Sequence, residues 1–331
     1  MRFKQSVCVA EGAAVGGKKE ADGPLKERFD ELQPDAYFGQ KSWEAAESAM
    51  LRRCFDLLCQ KSNTPPAALQ YLLSGDLQSQ CTGSALALRD AAVPYLGLYG
   101  ACSTMGEAMM LGAMLIDGGA ANKLCALTCS HFCAAERQFR LPLEYGGQRT
   151  PTAQRTATAA GAVLLTNDAQ RQPRITFATT GRIVDAGVTD ANNMGAAMAP
   201  AAWDTLRTHF LDTGRSPDYY DAVITGDLGH FGHDILADLA HADGYEFRNI
   251  FTDCGILLYD APRQDVHAGG SGCGCSAAVF AGHILKCLQD RLWNRVLFAP
   301  TGALMSIVTS QQGESIPGIC HALVIENTED S

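Results

Sequence analysis

Residues 69–77, LQYLLSGDL, return as 220–228, YDAVITGDL: an apolar, β-prone run that ends both times in Gly-Asp-Leu. Internal repetition of this kind restricts the fold more than any local signal, because each copy must be one supersecondary unit. Two further matches keep the same order. GLYGACST at 97–104 and HAGGSGCGCS at 267–276 are small-residue turns carrying Cys and Ser, and they open helical segments at Met105–Ile116 and Ala277–Leu288. Each segment is followed by a short strand behind a basic step, Asn122-Lys123-Leu124 or Asn294-Arg295-Val296. Alternating strands and helices in tandem imply mainly parallel sheets with right-handed crossovers, an α/β fold of two pseudo-symmetric halves. Between the motifs, residues 42–58 place Trp43, Ala46, Met50, Phe55 and Leu58 on one helical face, and Pro65-Pro66 separates this helix from a strand at Leu69–Ser74. The polar stretch Asn167–Arg174 marks the division, giving halves of 1–170 and 171–331. With no flexible tract between them, the halves are expected to pack as one unit.

A formal charge of −10 and the lack of a Lys/Arg cluster argue against a nucleic-acid partner and against adhesion to anionic lipid. Ser6–Ala10 is too short for a signal-peptide core, and Ala108–Ile116, bounded by Glu107 and Asp117, falls short of a membrane span. The 13 cysteines are therefore read as reduced thiols in a cytosol-like compartment.

The turn Gly100-Ala101-Cys102-Ser103-Thr104 sets a thiol at a helix start, with Thr104 and Glu107 spaced as a capping box. Unpaired amides and the positive end of a helix dipole would lower the Cys102 pKa and attract anions. The turn is then a reactive thiol or an anion-binding lip; a small buried cysteine in a tight turn fits equally. Gly269-Gly270-Ser271-Gly272 presents bare backbone at the other helix start. If the repeat pairs the halves face to face, both N-termini converge on one cavity suited to a dianion or a thioester oxyanion. Cys125, Cys129 and Cys133 with His131 resemble a metal cluster, but the run Leu124–Thr128 reads as a strand and the spacing matches no zinc pattern, so no metal site is assigned. Cys273 and Cys275 read as a small-residue turn, and His230 and His233 as solvated residues of a Gly-rich loop. Asp253, in Phe251-Thr252-Asp253-Cys254-Gly255 before a strand-like run Ile256–Tyr259, is a ligand contact, a cation partner or a turn cap.

The duplicated plan with a Cys turn in its first half resembles the thiolase superfamily. DGPL (22–25), QKSWEAAE (40–47), SGDL (74–77), PYLGLYGACST (94–104), HFCAAERQFRLPLEYGGQ (131–148), MGAAMAPAA (194–202) and GGSGCGCSA (269–277) resemble one branch of it, the stage V sporulation protein AD family, over essentially the whole chain. That resemblance implies an αβαβα layered fold and a homodimer. It also implies a role in moving dipicolinic acid (pyridine-2,6-dicarboxylate), with calcium as its companion, into the developing spore and out at germination. Partner proteins of the stage V sporulation channel at the spore inner membrane, and a peripheral location there, are part of the same implication. The family's pocket maps onto Cys102, Asp253 and Cys254; Ser103, Gly270 and Ser271 join them as expected ligand-binding residues on the two converging turns.

Condensing enzymes of the superfamily set a histidine, and a second histidine or an asparagine, beside the thiol. Here the equivalent stretch, Ile224-Thr225-Gly226-Asp227, has Gly or Asp in the histidine's place, and GGSGCG has no asparagine. Gly282-His283-Ile284 is only a partial echo of a thiolase Gly-His-Pro. General-base help alone is worth about 10²–10⁴ in rate. The expectation is a binding protein with no catalytic residue and no cofactor of its own. The alternative is a residual acyl-transferring enzyme that forms a thioester at Cys102.

Overall fold

The computed structural model describes residues 1–139 and 148–327. Its main sheet holds ten strands in sequence: β1 (Cys8–Gly16), β2 (Leu72–Gly75), β3 (Tyr95–Gly97), β4 (Lys123–Ser130), β5 (Ala159–Thr166), β6 (Arg174–Thr179), β7 (Ala222–Thr225), β8 (Phe251–Asp253), β9 (Arg295–Ala299) and β10 (Ala322–Glu326). A two-residue strand, Glu31–Leu32, adds to β1. Strands before residue 170 lie in the order β3-β2-β4-β5-β1, and those after it in the order β8-β7-β9-β10-β6. The two series are one topology written twice. Both begin with three parallel neighbours and finish with antiparallel pairs. They meet at a single register pair, Cys8 with Arg174.

Helices α1 (Trp43–Lys61), α2 (Thr82–Leu88), α3 (Thr104–Asp117), α4 (Met194–Thr213), α5 (Gly229–Ala242) and α6 (Cys273–Val279) fill the layers. The last continues through a π-helical turn, Phe280–Ile284, to Gln289. Ser42 caps α1 by accepting the Ala45 N–H, and Met50, Leu51, Phe55 and Leu58 bury against β1, β4 and β5. On the far side, α4 and α5 cover β7 and β9 with Trp203, Leu206, Phe210 and Leu236. Between the sheet halves, α3 and α6 share one core with both: Met105 and Met109 join Phe280, Phe298, Leu124 and Leu323. The layers therefore run αβαβα. Strands β4 and β5 are buried along almost their whole length, so their sequences show apolar runs instead of alternation.

The small residues of α6 have a packing cause. A Cβ at Gly161 would sit 2.2 Å from the Ala277 backbone, and one at Gly274 would sit 2.1 Å from the Ala159 carbonyl oxygen. Helix and strand touch backbone to backbone, which only glycine allows. Cys273 and Cys275 accordingly belong to the helix start and not to a turn.

Three local expectations are corrected. The strand expected at Leu69–Ser74 spans Leu72–Gly75, because a 3₁₀ turn follows Pro65. His230 and His233 lie in the first turn of α5 and not in a loop; His233 stacks on Phe251 with ring centroids 4.2 Å apart. The run expected as a strand at Ile256–Tyr259 belongs to a helical turn, Cys254–Leu258, because the Asp253 side chain accepts the Gly255 N–H and starts a helix there.

Candidate functional site

Strand β3 delivers the chain to Cys102 through a strained corner. Ala101 has φ +51°, and a 3₁₀ turn, Ala101–Ser103, precedes α3. Thr104 Oγ1 donates to the Ala101 carbonyl (2.6 Å) and accepts the Gly100 N–H (3.1 Å), while Ser103 Oγ donates to the Gly100 carbonyl (2.7 Å). The expected Thr104–Glu107 capping box does not form: Thr104 spends its hydroxyl on the turn, and Glu107 Oε2 has no hydrogen-bond partner. The second half closes over the corner. A Cβ at Gly302 would lie 2.2 Å from the Gly100 oxygen, Ser276 Oγ donates to the Cys102 carbonyl (3.4 Å), and the Gly272 N–H approaches the Cys102 sulfur.

Both helix starts thus converge, and Cys102 and Ser271 share a pocket with Leu77, Tyr99, Phe139 and Met305. It is small: the space it leaves for the centre of a water-sized sphere is about 50 Å³. The amides are less bare than the sequence implied. Ser103 N–H and Thr104 N–H are taken by the Gly100 and Ala101 carbonyls, and Gly274 N–H by Ser130 Oγ at 3.2 Å.

The charge expected on the thiol is also corrected. Burial, followed by the Asp227 carboxyl, pushes Cys102 well above the ordinary thiol range, and the Gly272 N–H only partly opposes this. Desolvation outweighs the helix start because Cys102 is buried, 7 % exposed as a residue, and faces a carboxyl rather than a cation. Among the described residues no histidine is a hydrogen-bond partner of Cys102. His209 bridges Thr179 and Tyr220, His131 pairs with the Ala36 carbonyl, and His321 accepts the Gly181 N–H. Nor is there room for an imidazole at Gly226, where a Cβ would meet Pro300 Cα at 2.8 Å and Ser276 Cβ at 3.2 Å.

Of the other expected residues, Ser103 is wholly buried behind the turn. Gly270 pairs with Arg155 in a short parallel ladder that places Ser271 beside Thr156 on the pocket wall. Asp253 is buried and fully engaged: Oδ2 accepts Thr225 Oγ1 (2.7 Å) and Leu228 N–H (2.9 Å), and Oδ1 accepts Gly229 N–H (3.0 Å) and Gly255 N–H (2.9 Å). Burial raises its pKa, and these donors oppose the rise. Neither Asp253 nor Cys254 lines the pocket; Cys254 sits in the central core. The paper cluster around His131 is dispersed. Cys129 approaches Glu47 Oε1 at 3.6 Å, and among the described residues no three His, Cys, Asp or Glu are placed to hold a metal ion.

Asp227 escaped the sequence reading. It is fully buried, and neither carboxylate oxygen has a hydrogen-bond partner. Its repeat counterpart, Asp76, accepts Gln78 N–H (2.8 Å) and Ser84 N–H (2.6 Å) and so organises α2. One Gly-Asp-Leu is structural; the other leaves a carboxyl unspent behind the thiol. Burial, and then Asp253, raise Asp227 well above the ordinary carboxyl range. The repetition of the motif was the available signal. Tyr99, Phe139, Thr156 and Met305 were missed as well, since nothing in their local sequence sets them apart.

A family model described as Stage V sporulation protein AD matches residues 1–326. The chain belongs to the stage V sporulation protein AD family. It is 43% identical to stage V sporulation protein AD of Bacillus subtilis (strain 168) over 324 residues, covering 98% of this chain and 95% of that protein. Of the family stretch HFCAAERQFRLPLEYGGQ, residues 132–139 form a helix whose Phe139 faces the pocket, and residues 140–147 lie outside the described residues. The fold is that of thiolase-like proteins. A variant of Xanthomonas campestris OleA superposes with a TM-score of 0.62 at 12% identity, covering 99% of this chain and 100% of that one. The 3-oxoacyl-[acyl-carrier-protein] synthase III of Aquifex aeolicus VF5 gives 0.55 at 11%, covering 98% and 99%. No helix among the described residues is long and apolar enough to cross a membrane.

Proposed function

We propose that this family member is a non-catalytic binding protein for dipicolinic acid, acting in its uptake by the developing spore and its release at germination. The observation that carries the reading is a pocket at Cys102 to which both helix starts contribute, with no histidine among the described residues hydrogen-bonded to the thiol. Tyr99, Phe139 and Met305 offer apolar surface to the faces of a planar ring, and Cys102, Ser271 and the Gly272 amide offer polar contacts at its edge. Ser103, Gly270, Asp253 and Cys254 shape the wall behind them. No cofactor of the protein's own takes part, and calcium enters only as the ligand's companion.

The same reading includes a homodimer and peripheral attachment at the spore inner membrane through other stage V sporulation channel proteins. Among the described residues strand β3 ends the sheet, with Leu96 and the neighbouring Tyr99 exposed, an edge on which a second copy can dock. Because Tyr99 also lines the pocket, that copy would sit at its mouth.

Calorimetric titration of dipicolinate tests the reading, with Ser271→Val as the pocket variant. Micromolar or weaker binding that weakens further in the variant is expected. Absence of binding to the wild-type protein refutes it. The rival reading, thioester formation at Cys102, predicts a stable acyl adduct on that residue by mass spectrometry after incubation with acyl-CoA. An unmodified thiol supports the binding protein.

A further inference from the structure

Between β2 and α2 the chain turns a corner, residues 76–81, whose two sides are held differently. On the inner side Asp76 accepts the Gln78 and Ser84 N–H groups, and Gln78 Nε2 donates to Glu47 Oε2 (2.9 Å). The outer side carries backbone strain. Gln80 and Cys81 have φ +61° and +57°, two successive non-glycine residues in the left-handed region. Such a conformation costs free energy and persists only where neighbouring contacts over-determine it. A side chain from another element grips this outer side: Gln138, in the helix Phe132–Phe139, accepts the Ser79 N–H at Oε1 (2.8 Å) and donates from Nε2 to the Leu77 carbonyl (3.2 Å). A carboxamide has both the donor and the acceptor that such a grip needs. Its position matters to the pocket. Leu77 and Phe139, the residue next to Gln138, both stand on the pocket wall, and Leu77 shares a buried cluster with Cys102 against which Phe139 packs. Ser79 and Gln138 also line a groove that shares Tyr99, Phe139 and Met305 with the pocket, so the clamp sits where the pocket opens.

We propose that Gln138 is a positioning residue for the pocket: by bonding Leu77 and Ser79 at once it holds the strained corner in place and fixes Leu77 relative to Phe139. It acts through these two walls and not by touching the ligand. Releasing the clamp lets the corner relax, which lowers the share of molecules whose pocket is already formed and weakens binding in proportion. The effect on affinity rests on the pocket binding dipicolinate, as proposed above; the effect on the corner does not.

Gln138→Met keeps the length of the side chain and removes both bonds, whereas Gln80→Gly removes strain, since glycine takes positive φ freely. Dipicolinate is titrated by calorimetry against the wild type, each single variant and the double variant. Amide hydrogen exchange of residues 77–82 is followed in the unliganded proteins, with melting curves to confirm that each is folded. Gln138→Met should bind about 3- to 10-fold more weakly, the range for one or two partly exposed hydrogen bonds, and its exchange should quicken. With Gln80→Gly added the corner needs no clamp, and affinity and exchange should return to within about twofold of the wild type. Simple loss of packing, or of a direct ligand contact, would show no such rescue. Unchanged exchange or unchanged affinity in Gln138→Met, or a double variant as weak as the single one, overturns the assignment and leaves the pocket reading intact. No binding to the wild type overturns the pocket reading, and the exchange measurement still decides for or against the clamp.

Discussion

Replacing Asp227 by asparagine should stabilise the protein, and by an amount that grows with pH. In the unfolded chain an aspartate loses its proton near pH ~4, whereas in the fold burial and Asp253 keep Asp227 protonated well above that point. Between the two values the folded state binds one more proton than the unfolded state, so stability falls as pH rises, by about 1.4 kcal/mol per pH unit. At pH 7 the cost of retaining the proton reaches at most about 4 kcal/mol. Asparagine removes the cost, and with neither carboxylate oxygen hydrogen-bonded it breaks nothing in exchange. Urea unfolding of both proteins at pH 5, 6, 7 and 8 should give stabilities that already differ by up to about 1.4 kcal/mol at the acid end and then separate steadily, the variant being the more stable. Curves that stay parallel across this range would show that Asp227 is ionised in the fold throughout, and the reasoning about its environment would fail. Asp76→Asn is the contrast. Burial raises its pKa too, but its oxygens accept two backbone N–H groups, one of which the amide NH₂ would face, so any stabilisation should be smaller than that of Asp227→Asn by about 1–3 kcal/mol.

Cys102 should react with iodoacetamide at pH 7.5 at least about tenfold more slowly than free cysteine, because its thiol is held protonated; peptide mass spectrometry over time reads the rate. Asp253→Ala should lower stability by about 2–4 kcal/mol, since four donors at the ends of β7, α5 and Cys254–Leu258 lose their acceptor; thermal melting measures it. Leu96→Lys on the exposed end strand should shift a homodimer toward monomer in sedimentation while leaving the melting temperature of the subunit nearly unchanged.

The layered architecture was legible because the sequence carries it twice. Two Gly-Asp-Leu endings, two Cys turns and two basic steps in one order match the two identical strand series. The convergence of Cys102 and Ser271 followed from that symmetry. What symmetry could not show was how the copies diverge. Asp76 and Asp227 occupy the same motif, and only the surrounding backbone decides that one is a cap and the other an unpaired acid. The thiol pKa was misjudged for a similar reason. A helix start is visible in sequence, whereas the burial and the facing carboxyl that outweigh it are tertiary facts. Asp253 was left open between contact and cap; the cap to Gly255 is local, whereas its other three donors come from residues 225–229, which no spacing rule brings to it.

The contact of Gly226 with Pro300 and Ser276 limits what that position can become. Any side chain placed there needs space that two neighbours already fill. Introducing a base at residue 226 therefore demands coordinated change at positions far apart in the gene, with each single step obstructed by a steric clash.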